Sequence, residues 1–451
     1  MEKNLTSGSV FKNIVYFSLP FLLSYFLQTL YGMADLFIVG MFNGVDSITA
    51  VSVGSQVMHM LTVMIVGLAM GSTVTIGKAI GAKRSEQAFF VVGNTVTLFM
   101  VLSVIVTILL LIFIKPVVSL MSVPTEAVQG TVIYLTICFI GIPFITAYNI
   151  ISSIFRGLGD SKTPMYFILI ACVANIILDC LFIGKFHLGA AGAALGTTLS
   201  QAVSVIAALL VIYKRNTGLK LSKENFILKW GIIRQVLKIG IPVAIQDGFI
   251  QVAFIVITVI ANRRGLNDAA AVGIVEKIIG VVFLVPSTML STVSALSAQN
   301  IGAGKHERAA LTLRYAIFMS IGFGFVVSVL AQFIAEPIVG MFTDEIKVIS
   351  MGSQYLHGYI WDCMFAGIHF CFSGYFCAYS MSGISFLHNL LSIVFVRIPG
   401  AYLASKYFVD TLFPMGLSAP AGSLLSVIIC IIAFVLMKNV GGKSEAVKDT
   451  A

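Results

Sequence analysis

Twelve long apolar segments follow one another along the 451-residue chain, and each is long enough to cross a bilayer as an α-helix, which takes about 20 residues. Glycines, prolines and charged clusters separate them. Strands of outer-membrane barrels are shorter and alternate in polarity, whereas these segments are uniformly apolar. The sequence therefore predicts an all-α integral membrane protein with twelve transmembrane helices, at approximately 14–40, 48–77, 89–113, 128–153, 165–184, 189–213, 235–262, 269–297, 309–332, 351–380, 387–407 and 418–438.

The charged residues indicate an orientation in the membrane. The chain has 28 Lys and Arg against 19 Asp and Glu. Most of the basic residues fall in segments that an alternating topology places on one side, among them the stretch from Lys214 to Lys238. Cytoplasmic loops are enriched in Lys and Arg. We therefore expect a multi-pass protein of the cytoplasmic membrane with both termini cytoplasmic, and interpret the net charge of +9 as a topology signal rather than a nucleic-acid site.

An internal repeat divides the chain. Ile80-Gly81-Ala82 recurs as Ile301-Gly302-Ala303 at an offset of 221 residues, and Ser18-Leu19-Pro20 corresponds to Gly240-Ile241-Pro242. Such a constant spacing indicates duplication. Because six helices is an even number, the halves should be related by a pseudo-two-fold axis along the membrane normal. The predicted domains are a six-helix bundle with the ion-coupling site (1–213), a cytoplasmic linker (214–234), a second six-helix bundle (235–440) and a polar cytoplasmic tail (441–451).

Two carboxylates of the first half lie at the same predicted depth. Asp35 follows Pro20 by fifteen residues and Asp179 follows Pro164 by fifteen, about 22 Å along each outward-running helix. Both therefore fall in the outer half of the membrane. The same layer contains an amide, a phenol and a hydroxyl: Asn175, one turn before Asp179, with Tyr134 and Thr197 on inward-running helices.

Ionisable groups at this depth are costly and suggest function. Such a layer can bind and release protons, or its oxygens can coordinate Na⁺ at Asp35, Asn175, Asp179 and Thr197. The alternative is that these groups only hydrogen-bond helices together. We predict an ion-coupling site in the first half.

The second half lacks both carboxylates, because Ile257 and Gly400 occupy the corresponding positions. Its own intramembrane charges have mixed signs, which suggests mutual pairing, with substrate contact as the alternative. The expected pairs are Asp247 or Asp362 with Arg397, and Glu276 beside Lys277.

Signatures of other functional classes are missing from the sequence. The Gly-x-Gly-Asp at 157–160 lies between two membrane helices, without the strand that a nucleotide fingerprint requires. No Walker motif, GxSxG, HExxH or Cys/His cluster occurs. We therefore expect neither an enzyme, nor a bound cofactor, nor an ATP-binding subunit.

Several motifs resemble those of the multidrug and toxic compound extrusion (MATE) transporters: Met33–Gly40, Ile80–Ala82, Phe155–Pro164 and Gln299–Gly304. The resemblance spans about residues 10–440. It implies two six-helix bundles around a central cavity, exporting cationic or amphipathic drugs in exchange for H⁺ or Na⁺.

The chain is most similar to the DinF-like branch, which includes MepA-type exporters. That branch has an aspartate on helix one and an Asn-x-x-x-Asp on helix five, which Asp35, Asn175 and Asp179 match. The resemblance also places Gln28, Tyr134 and Thr197 at this site. Ser152 replaces an asparagine of well-known members, and Asn149, one turn earlier, is a candidate substitute. We assign both to a substrate cavity, together with Asp247, Asp362 and Arg397.

The expected function is H⁺-coupled antiport of small organic cations and drugs by a monomer in the lipid bilayer. Helix one is expected to bend near Pro20 when the carboxylates are neutralised. Two alternatives remain open, a Na⁺-coupled exporter that uses the same residues and a flippase for lipid-linked precursors from the same superfamily.

Overall fold

The computed structural model describes residues 4–121, 123–214 and 222–448. Within these ranges the chain is helical and has no β-strand. Residues 215–221 of the predicted linker and 449–451 of the predicted tail lie outside the described residues. The described part of the tail, up to Lys448, continues the last helix.

The first half forms six membrane helices within the described residues. Within the described residues of both halves, ten helices are long and apolar enough to span a membrane, and an eleventh span is formed by two helices bent by 48° at Gly141. That bent helix is α4. The helices are α1 (Val10–Phe42), α2 (Val45–Gly81), α3 (Ser85–Ile112), α4 (Thr125–Ile140 and Ile142–Gly157), α5 (Lys162–Lys185) and α6 (Gly189–Lys214).

The second half repeats this order. Its fourth helix is again divided, here around Ile360 and Trp361. The helices are α7 (Trp230–Asn262), α8 (Leu266–Gly302), α9 (His306–Gly340), α10 (Ile346–Tyr359 and Asp362–Ala378), α11 (Ser382–Tyr407) and α12 (Phe413–Lys448). All twelve predicted segments are therefore helical.

Prolines lie inside the first helix of each half. Pro20 in α1 and Pro242 in α7 occupy corresponding positions of the repeat, and both helices continue through them. Proline lacks an N–H and removes one hydrogen bond of the helical ladder. The Ser24 hydroxyl donates to the Pro20 carbonyl at 2.9 Å, one turn later. Each half thus has a potential bending point in its first helix.

Two compact units emerge from the packing, Met1–Ala244 with Ala298–His306, and Ile245–Ser297 with Glu307–Ala451. The first unit includes the beginning of α7, although the repeat assigns α7 to the second half. Small residues explain this packing, because a side chain at Gly71 of α2 would meet the Val236 backbone and one at Gly240 would meet the Leu68 backbone. Glycines allow such close helix approach. The predicted boundaries at 213 and 235 follow the repeat and remain predictions about domains.

The described end of the predicted linker is anchored to α3. The Asn94 amide donates to the Asn225 and Ile227 carbonyls at 3.0 and 3.1 Å, and its oxygen accepts from the Lys229 amide at 2.6 Å. A short 3₁₀ turn, Lys223–Phe226, lies in this segment. Because Asn94 is buried, its bonds replace those that water would supply. Residues 222–229 therefore belong structurally to the first unit.

In the second unit, Arg264 connects the loop between α7 and α8 to the segment between α11 and α12. Its guanidinium contacts Asp268 at 2.7 Å and donates to four backbone carbonyls, one in the last turn of α11 and three between α11 and α12. This role of Arg264 was not predicted from the sequence. A fork of donors suits this convergence of carbonyls better than an ammonium does.

Candidate functional site

Four side chains of the first unit meet between α1, α5 and α6. The Thr197 hydroxyl donates to Asp35 Oδ2 at 3.0 Å. Asn175 and Asp179 both lie next to the Asp35 carboxyl group. Asn175 precedes Asp179 by one helical turn, so both extend from the same face of α5. The structure thus brings together the four residues that were predicted as a possible Na⁺ site.

This cluster is withdrawn from solvent and incompletely hydrogen-bonded. Asp35 is 4% exposed, and Asn175 and Asp179 are 0% exposed. Among the described residues, Asp35 Oδ1, both Asp179 oxygens and both Asn175 amide atoms lack a hydrogen-bond partner of ordinary geometry. Burial of unpaired polar groups is unfavourable. The unpaired oxygens of this cluster can therefore accept a proton or coordinate a cation.

Two features of the backbone place Asp179. Gly196 of α6 lies against it, so that a Cβ atom there would overlap Asp179 Oδ1. Immediately after Asp179, α5 passes through a π-helical segment, Cys180–Lys185. Such widened turns occur often at functional sites. The missing side chain at position 196 is what lets α6 approach the carboxylate.

Tyr134, predicted at the same depth, lies close to both carboxylates but forms no hydrogen bond with them in the described part of the chain. Its ring packs on Gly54 of α2. Sequence reasoning missed Tyr31, which lies near Asp35 and accepts a hydrogen bond from the Gln201 amide at 3.4 Å. Its spacing of four residues from Asp35 was the available signal, because it places both on one face of α1.

Gln28, Asn149 and Ser152 occupy a different place from the carboxylates. They line a cavity whose described lining residues also include Tyr25, Tyr148 and Arg156. None of Asp35, Asn175, Asp179 and Thr197 belongs to that lining. Gln28 was predicted to join the ion-coupling site; the structure places it with the two residues assigned to a substrate cavity.

The predicted ion pair between Arg397 and an aspartate of the second half is wrong. Among the described residues, Arg397 forms no ion pair with Asp247 or Asp362. Its guanidinium donates instead to the Tyr359 hydroxyl, and it lies 5.0 Å from the centre of the Phe254 ring. Asp362 remains near enough to interact electrostatically with Arg397, whereas Asp247 lies near Cys377.

Glu276 and Lys277 form no ion pair in the described part of the chain, although Glu276 lies near enough to Lys277 and Arg397 to interact electrostatically with both. Glu276 Oε2 accepts a hydrogen bond from the Thr258 hydroxyl at 3.2 Å, while Lys277 is exposed. Consecutive helix residues do not face each other, so the two side chains leave α8 in different directions. Lys277 is therefore not the buried cation that its position in an apolar segment suggested.

The family of the chain follows from a family model, MatE, which matches residues 20–181 and again residues 242–403. The chain belongs to the MatE family. The two matches start 222 residues apart and cover one half each, so the MatE domain occurs twice, as the repeat predicted. The predicted membership among the MATE transporters is confirmed.

Curated relatives of this MatE protein cover most of its length. It is 27% identical over 435 residues to the probable multidrug resistance protein YoeA of Bacillus subtilis (strain 168), covering 93% of this chain and 92% of the relative. It is 27% identical over 370 residues to the multidrug export protein MepA of Staphylococcus aureus (strain MSSA476), covering 81% of each.

Solved structures share the MatE fold. An outward-facing multidrug resistance MATE family transporter of the MOP superfamily matches with a TM-score of 0.91 and 22% identity, over 97% of this chain and 98% of the other. A MOP superfamily transporter from Pyrococcus furiosus matches with a TM-score of 0.88 and 22% identity, over 96% of each chain. The predicted fold of twelve membrane helices in two bundles is confirmed.

Proposed function

We propose that this MatE protein exports cationic and amphipathic organic compounds across the cytoplasmic membrane, in exchange for protons bound at Asp35 and Asp179. It acts as a monomer by alternating access, without an ATP-binding subunit or cofactor. The relatives named as multidrug resistance and multidrug export proteins support the class of cargo. The twelve-helix fold supports transport through a membrane.

The observation that carries this proposal is the adjacency of two buried carboxyl groups, Asp35 and Asp179. Two neighbouring carboxylates in a medium of low dielectric repel each other strongly unless a proton or a cation lies between them. Loading and unloading that positive charge changes the electrostatics of α1, α5 and α6 together. The cluster can therefore exist in two states that differ by one cation.

Coupling follows if the two states favour different conformations of α1. In the proposed cycle, a proton from outside neutralises the pair, α1 bends near Pro20, and the cargo leaves to the outside. Release of the proton to the cytoplasm then restores affinity for the next cargo molecule. The ladder bond missing at Pro20 makes this the place where α1 bends at lowest cost.

Na⁺ is the second candidate for the coupling ion. Asp35, Asp179, Asn175 and Thr197 offer only oxygen ligands if the Asn175 amide turns its oxygen inward, and hard cations prefer such ligands. The Asp179 oxygens and the Asn175 amide, which have no hydrogen-bond partner within the described ranges, favour this alternative. The same residues would then perform the same coupling with a different ion.

Dye transport by proteoliposomes tests the proposal. We expect a pH gradient at constant Na⁺ to drive ethidium transport, and a Na⁺ gradient at constant pH to have little effect. Asp35→Asn should reduce the rate to that of protein-free liposomes, because the pair can no longer gain and lose its proton. Asp46→Asn, the same change at an exposed aspartate of α2, is the matched control.

Three outcomes are informative. Transport driven by Na⁺ alone would assign the site to Na⁺. Wild-type rates in Asp35→Asn would refute the site, and dye movement under neither gradient would refute ion-coupled export. Size-exclusion profiles and melting temperatures of both variants show whether the fold is intact.

A further inference from the structure

The linker end that leads into α7, residues 222–230, lies with its backbone against α3. In addition to the bonds to α3 described above, the Thr97 hydroxyl donates to the Phe226 carbonyl at 2.9 Å. A Cβ atom at Gly93 would lie 2.3 Å from the Asn225 carbonyl oxygen, so the two backbones are in close contact. The backbone of the linker end is therefore fixed on the first unit.

Four of the five side chains from Phe226 to Trp230 are large and apolar, and all of them are exposed. Ile227 is 63% exposed and Trp230 is 71% exposed. Because the backbone is fixed, these side chains are covered only if another apolar phase lies beside them. Tryptophan is enriched where a membrane meets water, and apolar side chains interspersed with lysines are typical of segments in that interface. The membrane helix α7 begins at Trp230, so the adjacent apolar phase is lipid.

Positive charge accompanies this apolar surface. The exposed basic residues between positions 222 and 238 are Lys223, Lys229, Arg234 and Lys238. Glu224 is the one acidic residue of that stretch. Trp230, Arg234 and Lys238 follow one another at a spacing of four residues and therefore lie on one side of α7.

The charges on this side of α7 have the same sign. Lys78 of α2 is close enough to Lys238 for their charges to repel each other. No carboxylate forms an ion pair with Arg234 in the described part of the chain. The first turns of α7 thus present a concentration of positive charge directly beside exposed apolar side chains.

We propose that Arg234 and Lys238 bind the phosphate of an anionic phospholipid. The planar guanidinium of Arg234 matches a phosphate in a bidentate arrangement, and Lys238 adds a second positive charge. The acyl chains extend along α7 past Ile241, which is exposed three residues after Lys238. A soluble phosphate would satisfy only the charges, whereas a phospholipid also covers the apolar residues on both sides of them. The inference concerns a resident lipid and rests neither on the coupling ion nor on the cargo of the proposed function.

Quenching of Trp230 fluorescence by brominated lipids measures lipid binding at this place. Trp361 is the only other tryptophan of the sequence, so Trp361→Phe leaves Trp230 as the sole tryptophan. The full-length protein is reconstituted in phosphatidylcholine with increasing fractions of dibrominated phosphatidylglycerol or dibrominated phosphatidylcholine. We expect half-maximal quenching at an about fivefold lower fraction of phosphatidylglycerol, which corresponds to the attraction of about one basic residue to an anionic membrane surface.

Two double variants in the Trp361→Phe background locate the selectivity. Arg234→Gln with Lys238→Gln should abolish the difference between the two lipids and leave quenching by phosphatidylcholine unchanged. Both side chains are exposed, so the fold should tolerate the change, and size-exclusion profiles check it. Lys83→Gln with Arg84→Gln removes the same charge from exposed positions between α2 and α3 and should keep the preference.

Four results would overturn the proposal. Equal quenching by the two lipids in Trp361→Phe would exclude selectivity for an anionic headgroup, and absence of quenching by both would show that Trp230 does not contact the bilayer. A preference that persists without Arg234 and Lys238 would place the anion elsewhere. An equal loss in the variant of Lys83 and Arg84 would assign the preference to the overall positive charge of the surface.

Discussion

Gly196 determines how closely α6 approaches Asp179, because any side chain there would overlap the carboxylate. We predict that Gly196→Ala lowers the rate of gradient-driven ethidium transport by at least about tenfold, since displacements near 1 Å can disable a positioned group. The measurement is the initial rate in proteoliposomes. Gly280→Ala, whose added methyl group would meet no atom within contact distance, is the matched control and should transport normally.

Unchanged transport in Gly196→Ala would show that the position of Asp179 is not critical for coupling. Alanine is favoured over glycine in a helix by about 0.5–1 kcal/mol, so neither variant should lose stability through helix propensity alone. A drop in melting temperature of Gly196→Ala relative to Gly280→Ala would therefore report the overlap with Asp179 itself.

The sequence predicted the depth of single residues in the membrane well. It predicted contacts between side chains of different helices less well. The rise of 1.5 Å per residue placed Asp35 and Asp179 at one level. Gln28 shares the face of Asp35 but lies seven residues earlier, about 10 Å away along α1, and therefore lines the cavity that contains Asn149 and Ser152 instead. The predicted ion pair of Arg397 with Asp247 is not formed, because depth does not specify which faces of two helices meet.

At the scale of elements, the prolines of α1 and α7 allow a comparison within one molecule. Pro20→Ala would restore a backbone N–H that can donate within the helical ladder and would stiffen α1. We predict a several-fold slower ethidium efflux with an equal or higher melting temperature. Pro242→Ala, the corresponding change in the half with Ile257 in place of Asp35, should have a much smaller effect on efflux. Equal effects of both substitutions on efflux would contradict a special role of α1 in transport.

The helices themselves were well predicted, and their irregularities were not. Apolar length determines where a membrane segment lies, so the bounds of all twelve predicted segments fall within ten residues of the observed helix ends. Hydropathy does not reveal the bend at Gly141 or the π-helical segments Cys180–Lys185 and Ile393–Arg397. One widened turn leaves composition unchanged but rotates every later side chain. Both π-helical segments adjoin or contain a buried charged residue, Asp179 or Arg397.

For the whole molecule, the distribution of basic residues predicts one orientation. In a Cys180→Ser background, His187→Cys between α5 and α6 should react with a membrane-impermeant maleimide in intact cells. Arg84→Cys between α2 and α3 should react only after permeabilisation. Both positions are outside the apolar segments, and the cysteines other than Cys180 are buried. The opposite labelling pattern would contradict cytoplasmic termini.

In the proposed exchange, restriction of the carboxylate pair to the first bundle limits the concentration gradient of cargo that the protein can build. When one proton enters for each monovalent cation exported, no net charge crosses, and each unit of pH difference supports about a tenfold concentration ratio. When the exported molecule is a zwitterion of zero net charge, the charge of the entering proton is not compensated by a charge moving outward. The membrane potential then contributes about 2.3 kcal/mol per 100 mV, or roughly a further fifty-fold. In an energised cell, the same carboxylate pair would therefore support a larger outside-to-inside concentration ratio for zwitterions than for cations.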